Sequence, residues 1–257
     1  MISYCVLAYR PVYDYLLIEE LIRKTSVPYE ILVWINTPDE EFHRWILGKT
    51  TTHPIVVVGR TPENIGMKGF KPLFERAKYE LITQLDDDVI CITSKAAQIA
   101  QDIFRRHPKV RQLVADVWQD DWTNGAHPAL SDYTPYAVQD GLYDGPIDGG
   151  FTVYHRSVLP HLLNSPFDKY FYLGAHMRLF LSTQDLRALL CTKMKMFHVS
   201  GPYYHAAFGM LDFEIEKYKA VGHPEIAEGL EAWKDKLPSK QTMEDKVCGV
   251  VETFMSL

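Results

Sequence analysis

Short apolar runs alternate with segments of helical periodicity over the first 90 residues of the chain. The apolar runs are typical of buried strands, and they occupy residues 2–8, 29–36, 55–58 and 79–85. Between them, apolar side chains recur at helical spacing, at Leu17, Ile18, Leu21 and Ile22, at Phe42, Trp45 and Ile46, and at Phe70, Leu73, Phe74 and Ala77. This order predicts an α/β fold whose ligands bind at the carboxyl ends of the strands.

The pattern continues beyond residue 90. It predicts helices over residues 94–107, 157–163 and 170–181, and strands over residues 110–118, 151–155 and 193–199. The last of these strands alternates polar and apolar residues, which indicates an edge or half-buried position. Earlier in the chain, Thr37 and Pro38 match an N-cap followed by proline at the first helical position, so we expect the second helix to begin there.

Residues 119–149 show little periodicity and are rich in Asp, Tyr, Pro, Gly and Trp, which predicts a long loop. Its aromatic side chains, among them Trp122, Tyr133, Tyr136 and Tyr143, suit contact with sugar rings or bases, although aromatic residues in a loop also pack locally. The glycines that follow, Gly149 and Gly150, allow a ligand to approach the backbone closely.

Three amphipathic segments follow residue 209, at residues 212–221, 225–236 and 243–254. Neither an internal repeat nor a low-complexity linker separates them from the rest of the chain. We therefore predict one domain over residues 1–208 and a helical C-terminal extension over residues 209–257 that packs on the same domain. The same helices offer a surface for association of two copies into a homo-oligomer.

Composition and charge narrow the function classes. The 257 residues carry a formal net charge of −6, which disfavours binding of nucleic acid through an extended basic face. The four cysteines, Cys5, Cys91, Cys191 and Cys248, lack the spacing of a zinc site or a disulfide framework, so we expect buried thiols in a reducing compartment. We find no apolar run of membrane-spanning length and no signal-peptide pattern, and we therefore expect a cytoplasmic protein.

Three consecutive carboxylates, Asp86, Asp87 and Asp88, come directly after the fourth apolar run. Adjacent anions repel one another, so a compensating cation is expected, and hard oxygen ligands select Mg2+ or Mn2+. On an extended chain Asp86 and Asp88 would point to one side while Asp87 points elsewhere. The alternative is a solvated acidic turn at the end of a strand.

In the order of its predicted strands, helices and motifs, the chain resembles the GT-A nucleotide-sugar glycosyltransferases, and is most similar to their large family 2 group. The resemblance covers roughly residues 2–205 and rests on an ordered series of short motifs. These are the first strand and its loop from Cys5 to Arg10, a second strand that ends in Asn36, Asn64-Ile-Gly66, Leu85-Asp-Asp-Asp88, Asp148-Gly-Gly-Phe151, Phe167-Asp168, and His198 on a late strand.

The resemblance implies a GT-A mixed sheet flanked by helices, a nucleotide-sugar donor and a divalent metal ion, Mn2+ or Mg2+. Asp88 would bind the metal, Asp86 would contact the metal, a metal-bound water or the ribose, and His198 would supply a further ligand, with His205 as a second candidate. A hydrogen-bonded core histidine is the alternative role for His198. The donor would contact residues at the strand ends and in the loops, namely Ala8, Tyr9, Arg10, Asn36, Asn64, Lys68, Asp86, Asp87, Gly149 and Gly150.

One departure from the family pattern concerns the general base. The family usually carries an acidic pair at the start of the late helix, whereas this chain has Phe171-Tyr-Leu-Gly-Ala-His-Met-Arg178 there. His176 is one candidate base and Asp148 is another. A retaining mechanism, in which the departing phosphate takes the proton, is a third alternative.

The sequence thus predicts a metal-dependent glycosyltransferase that moves a sugar from a nucleoside diphosphate, expected to be a uridine one, to a saccharide or other hydroxyl acceptor. One alternative is a phosphohydrolase of the haloacid dehalogenase type, in which Asp86 would be the nucleophile and Asp88 an acid or base. Such enzymes place the nucleophile on the first strand, which counts against this interpretation. The other alternative is a binding protein that keeps the GT-A fold without turnover.

Overall fold

The computed structural model describes residues 1–90, 92–118, 122, 129–147, 150–167, 173–199, 201–220 and 222–255. Ten strands in this part of the chain form one sheet. They are β1 (Ile2–Ala8), β2 (Tyr29–Ile35), β3 (Ile55–Arg60), β4 (Leu81–Leu85), β5 (Val89–Ile90), β6 (Val110–Trp118), β7 (Thr134–Ala137), β8 (Leu142–Asp144), β9 (Phe151–His155) and β10 (Arg187–His198).

The α-helices of the described residues flank this sheet or follow it in the chain. They are α1 (Pro11–Lys24), α2 (Glu40–Lys49), α3 (Phe70–Arg76), α4 (Ala96–Arg106), α5 (Leu159–Asn164), α6 (Leu173–Thr183), α7 (Pro202–Ala207), α8 (Leu211–Ala220), α9 (Pro224–Glu231) and α10 (Lys240–Met255).

The sheet is mixed and has the order β3-β2-β1-β4-β9-β6-β10-β8-β7, with β5 pairing β10. Strands β3, β2, β1 and β4 are parallel to one another. Strand β9 lies antiparallel between β4 and β6, and β10 is parallel to β6. The carboxyl ends of β1, β2, β4, β6 and β10 therefore lie at the same edge of the sheet.

Apolar side chains cover both faces of the sheet. One core cluster joins the strands to α1, α2 and α4, through residues such as Leu17, Phe42 and Ile103. The other joins them to α3, α5 and α6, through residues such as Phe74 and Met177. The strands are buried on both faces because helices pack on both, which explains their nearly continuous apolar sequences.

Several local predictions are wrong. Helix α2 is capped by Asp39, whose carboxylate accepts a hydrogen bond from the Phe42 N–H at 2.7 Å, so Thr37 and Pro38 precede the helix. Of the two positions predicted for the strand over residues 193–199, the edge position is wrong, because β6 lies beside β10 on one side and β8 and β5 on the other. The half-buried position is confirmed, since Met194 and Met196 are buried whereas Lys193 is exposed. The predicted loop over residues 119–149 contains the antiparallel pair β7 and β8, although much of the rest of it lies outside the described residues.

The helices after residue 201 contact the carboxyl edge of the sheet and one another. Val250 of α10 and Tyr204 of α7 join Phe197 in a third apolar cluster, and a fourth cluster holds α8 against α9. Cys5 and Cys191 are buried as expected, whereas Cys248 on α10 is exposed, and Cys91 lies outside the described residues. In the described part of the chain, every helix is too short or too polar to cross a lipid bilayer.

Candidate functional site

The three aspartates lie at the carboxyl end of β4, where the chain leaves the sheet in a turn. The Asp86 N–H donates to the Gly150 carbonyl at 3.0 Å, and the Val89 N–H lies 3.4 Å from the Asp86 carbonyl. The chain turns here, so the condition of the prediction, an extended chain on which Asp86 and Asp88 share one side and Asp87 points elsewhere, is not met. Instead, Asp87 and Asp88 meet the same side chain.

That side chain is Arg10, which follows β1 and is only 6 % exposed. Its Nη1 atom donates to Oδ2 of Asp88 at 2.7 Å and to Oδ1 of Asp87 at 3.3 Å. The Arg10 backbone N–H also donates to Oδ2 of Asp87, at 2.7 Å. Strands β1 and β4 are parallel neighbours, which explains why the residues after them meet. Arg10 therefore supplies the compensating cation for two of the three carboxylates.

The imidazole of His198 lies on the other side of Asp88. Its Nε2 atom is 3.2 Å from Oδ1 of Asp88. The antiparallel pairing of β10 with β5 places His198 opposite Val89, and the Val199 N–H donates to the Asp88 carbonyl at 2.8 Å. Oδ2 of Asp88 thus faces the Arg10 guanidinium, and Oδ1 faces the His198 imidazole.

These contacts separate the pKa values of the three carboxyl groups. Burial raises the pKa of Asp86 to about 7, and the charge of Asp88 adds to this. Burial also raises the pKa of Asp87, to about 6, against the opposing effect of Arg10. For Asp88, the effect of burial is outweighed by His198 and Arg10, which hold its pKa well below the usual range. Burial lowers the pKa of His198, but Asp88 outweighs it and raises that pKa to about 9.

Two further acids complete the cluster, and the sequence interpretation missed both. Glu214 of α8 is 1 % exposed, and its Oε1 atom lies 2.9 Å from Nε of Arg10. Asp14 of α1 is fully buried, and burial together with the charge of Asp87 raises its pKa well above the usual range. A signal for both is present in the sequence, because each acid sits on the apolar stripe of an amphipathic helix.

The loop after β3 is held by Asn36, at the end of β2. The Oδ1 atom of Asn36 accepts from the Ile65 N–H at 2.8 Å and from the Thr61 hydroxyl at 3.2 Å, and its Nδ2 donates to Oδ1 of Asn64 at 2.8 Å. Asn64 also forms a side-chain hydrogen bond with Tyr9. The predicted donor residues Tyr9, Asn36 and Asn64 are therefore brought together in one network.

The remaining predicted donor residues differ in exposure. Ala8 is fully buried at the end of β1, whereas Lys68 is exposed in a short 3-10 helix before α3. Gly150 packs tightly, because a Cβ atom there would lie 2.9 Å from Cε of Met196 and 3.1 Å from Cγ2 of Val89. Asp148 and Gly149 lie outside the described residues.

The candidate histidines have different surroundings. His176 lies on α6, where its ring is stacked on that of His161 with centroids 5.3 Å apart. His205 of α7 is 8 % exposed, and burial lowers its pKa to about 4, so its imidazole is neutral at pH 7. The charges of Glu214, Arg10 and Asp88 also act on His205, which places it beside the same cluster.

The donor set at Asp88 fits a divalent cation. Asp88 Oδ1 and His198 Nε2 are 3.2 Å apart as an ion pair, and a divalent ion bound by both would replace the proton between them, since two adjacent ligand atoms on an octahedral ion with bonds of about 2.1 Å are roughly 3 Å apart. Carboxylate oxygens are ligands for hard divalent ions such as Mg2+ and Mn2+. Within the described ranges, no three His, Cys, Asp or Glu side chains form a group that could hold a metal ion. The protein would therefore supply few metal ligands, as in Mg2+ sites that are completed by water and substrate phosphates.

Comparison with solved structures identifies the fold. The chain superimposes on S. aureus TarS 1–349 with a TM-score of 0.58 and 13 % identity, covering 80 % of this chain and 62 % of that one. A second structure of TarS 1–349, in complex with UDP-GlcNAc, gives a TM-score of 0.57, 13 % identity, and coverage of 78 % and 59 %. The chain thus spans about three fifths of the TarS 1–349 length.

A third similar structure is the mannosyltransferase PcManGT from Pyrobaculum calidifontis, in complex with GDP-Man and Mn2+. Here the TM-score is 0.56 and the identity 12 %, with 97 % of this chain and 79 % of the other covered. No protein-family model and no curated protein sequence matches the chain. The structural likeness shows a GT-A-type fold, which confirms the predicted fold class.

Proposed function

We propose that this protein is a divalent-metal-dependent glycosyltransferase, which moves a sugar from a nucleoside diphosphate to the hydroxyl group of a saccharide or other acceptor. The observation that carries the proposal is the position of Asp88, between Arg10 and His198 at the carboxyl edge of a GT-A-type sheet. Ligands of such sheets bind at this edge.

The chemistry of the reaction matches the charges of the site. When the bond between sugar and phosphate breaks, negative charge develops on the nucleoside diphosphate, and positioned cations stabilise it. A divalent ion bound by Asp88 and His198 would act there as a Lewis acid. Arg10 holds the Asp88 carboxylate in place through the other oxygen, so the chain itself fixes the orientation of the ligand.

The donor would lie against the network of Tyr9, Asn36 and Asn64. Tyr9 offers an aromatic face, and its ring packs on Phe213 with centroids 5.1 Å apart. The similar structures hold UDP-GlcNAc in one case and GDP-Man in the other. We propose a uridine donor as the first to be tested and Mn2+ as the first metal.

Two side chains are candidates for the base that accepts the proton of the acceptor hydroxyl. His176 is one, and Asp148 is the other. Replacing the base should lower the transfer rate while leaving donor binding nearly unchanged, because a base acts on the acceptor in the transition state. Measurement of kcat and donor affinity for His176→Gln and for Asp148→Asn therefore shows which side chain is the general base. If neither variant lowers kcat, the departing phosphate becomes the candidate proton acceptor.

A thermal-shift experiment with UDP, GDP, CDP and their sugar conjugates tests the proposal, with each ligand added in Mn2+ and in EDTA. A ligand that binds only the native state raises Tm through RT ln(1 + [L]/Kd). We expect one nucleotide series to raise Tm in Mn2+ only, and Asp88→Asn to abolish the shift. Asp212→Asn is the matched control, because the Asp212 side chain is 85 % exposed.

An assay for release of free sugar, or for transfer of the sugar to an acceptor, then distinguishes an enzyme from a binding protein. Binding with neither release nor transfer would favour the inactive protein. Absence of any nucleotide-dependent shift, together with hydrolysis of simple phosphate esters, would contradict the proposal and favour a phosphohydrolase.

A further inference from the structure

Helix α8 contributes a buried acid to the aspartate cluster from a distant part of the sequence. The guanidinium of Arg10 is shared among three carboxylates, those of Asp87, Asp88 and Glu214. Nη1 faces the two aspartates, and Nε faces Glu214 at 2.9 Å. Nε and Oε1 are not aligned for a hydrogen bond, so this pair interacts through its charges.

Glu214 has a second cationic partner, Lys217, one helical turn later in α8. Glu214 is 1 % exposed, and burying a carboxylate is costly unless cations compensate for it. Leu211 and Ile215 flank Glu214 on the same face of α8 and are themselves buried. An apolar residue at position 214 would suit this face better, so packing alone does not account for an acid there.

We propose that Glu214 is a positioning residue of the metal and donor site, and that it acts by drawing part of the Arg10 charge away from Asp87 and Asp88. This inference rests on the proposed function, since it takes the aspartate cluster to be a cation site. With Glu214 present, less of the Arg10 charge neutralises Asp87 and Asp88, so these carboxylates attract a divalent cation more strongly. Without its charge, Arg10 is shared by two carboxylates instead of three and competes more strongly with the cation.

The test is direct binding of Mn2+ to the full chain, followed by the electron paramagnetic resonance signal of the free ion. Glu214→Gln keeps the size of the side chain and removes its charge, and we expect it to weaken Mn2+ binding about fivefold or more. Glu216→Gln is the matched control on the same helix, because the Glu216 side chain is 73 % exposed and pairs with Lys219. We expect wild-type affinity for this variant, since exposed pairs contribute little.

Lys217→Met should change the Mn2+ affinity in the opposite direction to Glu214→Gln. It removes the competing cation of Glu214, so Glu214 would interact more strongly with Arg10, and Mn2+ binding should strengthen about twofold. A double-mutant cycle tests whether Glu214 acts through Arg10. In an Arg10→Gln background, Glu214→Gln should change Mn2+ affinity less than about twofold. A purely structural role would change Tm without these opposite shifts in affinity.

The outcomes separate this inference from the proposed function. If wild type binds Mn2+, Asp88→Asn does not, and Glu214→Gln binds as wild type does, the inference is wrong and the proposed function stands. An equal loss of affinity for Glu214→Gln with and without Arg10 would also overturn it. If wild type fails to bind Mn2+ both alone and with UDP or GDP present, the proposed metal site fails, and the role of Glu214 fails with it.

Discussion

The Nη1 atom of Arg10 lies 2.7 Å from Oδ2 of Asp88, and both side chains are largely shielded from solvent. Their backbones belong to different strand ends, 78 residues apart in the sequence. A protein cation thus occupies the place beside the acidic cluster where, from the sequence, only a metal ion was expected. The proposed metal binding would therefore depend on the charge of Arg10, and this dependence can be measured.

Removal of Arg10 should destabilise the metal-free protein. Arg10→Gln leaves the carboxylates of Asp87, Asp88 and Glu214 without their shared partner, and breaking a buried ion pair in this way costs about 3–5 kcal/mol. Mn2+ should restore part of this loss, because it supplies positive charge to the same carboxylates. Urea denaturation with Mn2+ and with EDTA measures both effects. An equal response of wild type and variant to Mn2+ would contradict the link.

The stability of the metal-free protein should fall as pH rises through the range in which the aspartates ionise. The pKa of Asp86 is raised to about 7 and that of Asp87 to about 6, so both groups hold protons in the folded state that they lose in the unfolded state above pH 4. Their contribution to stability is complete below about pH 4 and is lost as pH rises to about 7. Asp86→Asn should remove much of this slope and stabilise the metal-free protein at pH 8 by at least about 1 kcal/mol. Denaturation in EDTA from pH 4 to pH 8 checks the sign, and a wild-type slope in the variant would contradict it.

Because the pKa of His198 is raised, we expect a second decrease in the stability of the metal-free protein at higher pH. This pKa is raised to about 9, so the ion pair with Asp88 contributes fully below about pH 6.5 and is lost as pH rises through 9. His198→Gln should therefore flatten the decrease in stability between pH 7 and pH 9.5. The measurement is Tm against pH in EDTA, with His223→Gln as the control because the His223 side chain is 57 % exposed. A decrease of the same size in His198→Gln would refute the assignment.

Asn36 should matter for stability and for the donor site together. Asn36→Ala removes three hydrogen bonds to the loop of Thr61, Asn64 and Ile65, and leaves buried polar groups without partners, which should cost about 2–4 kcal/mol. We expect the affinity for nucleotide to fall as well, because the loop also carries the partner of Tyr9. Asn164→Ala is the control, since its single hydrogen bond to the Pro160 carbonyl is exposed. Denaturation and nucleotide titration of both variants test this, and equal stabilities would contradict it.

Gly150→Ala should disturb the turn of the aspartates. The new Cβ would lie 3.1 Å from Cγ2 of Val89, and the Gly150 carbonyl accepts the Asp86 N–H. We expect a loss of about 1–3 kcal/mol from overpacking, and weaker Mn2+ binding. Gly229→Ala on α9 is the matched control, because nothing lies within 4 Å of a Cβ at that position, and alanine favours a helix. A stable Gly150→Ala with normal Mn2+ affinity would show that the turn tolerates the methyl group.

The sequence alone determined the alternation of strands and helices and the position of the acidic cluster. Strand β1 begins and ends where its apolar run predicts, because strands buried on both faces have continuous apolar sequences. Strand β6 also has the predicted bounds, residues 110–118. Three adjacent aspartates after a buried strand are also visible without a structure. The alternation over residues 193–199 predicts either an edge or a half-buried strand, and only the pairing of β10 with β5, β6 and β8, which depends on contacts distant in sequence, excludes the edge position.

Which residues come together in the site depends on the tertiary structure. Arg10 was expected to contact the donor, and only the parallel pairing of β1 with β4 shows that it binds Asp87 and Asp88. Asp14 and Glu214 occupy apolar stripes of α1 and α8, a pattern that signals buried charge but does not name its partner. The partner depends on which helix faces which strand end. Local periodicity records which side of a helix is buried, whereas charge compensation between distant segments is settled only when the chain has folded.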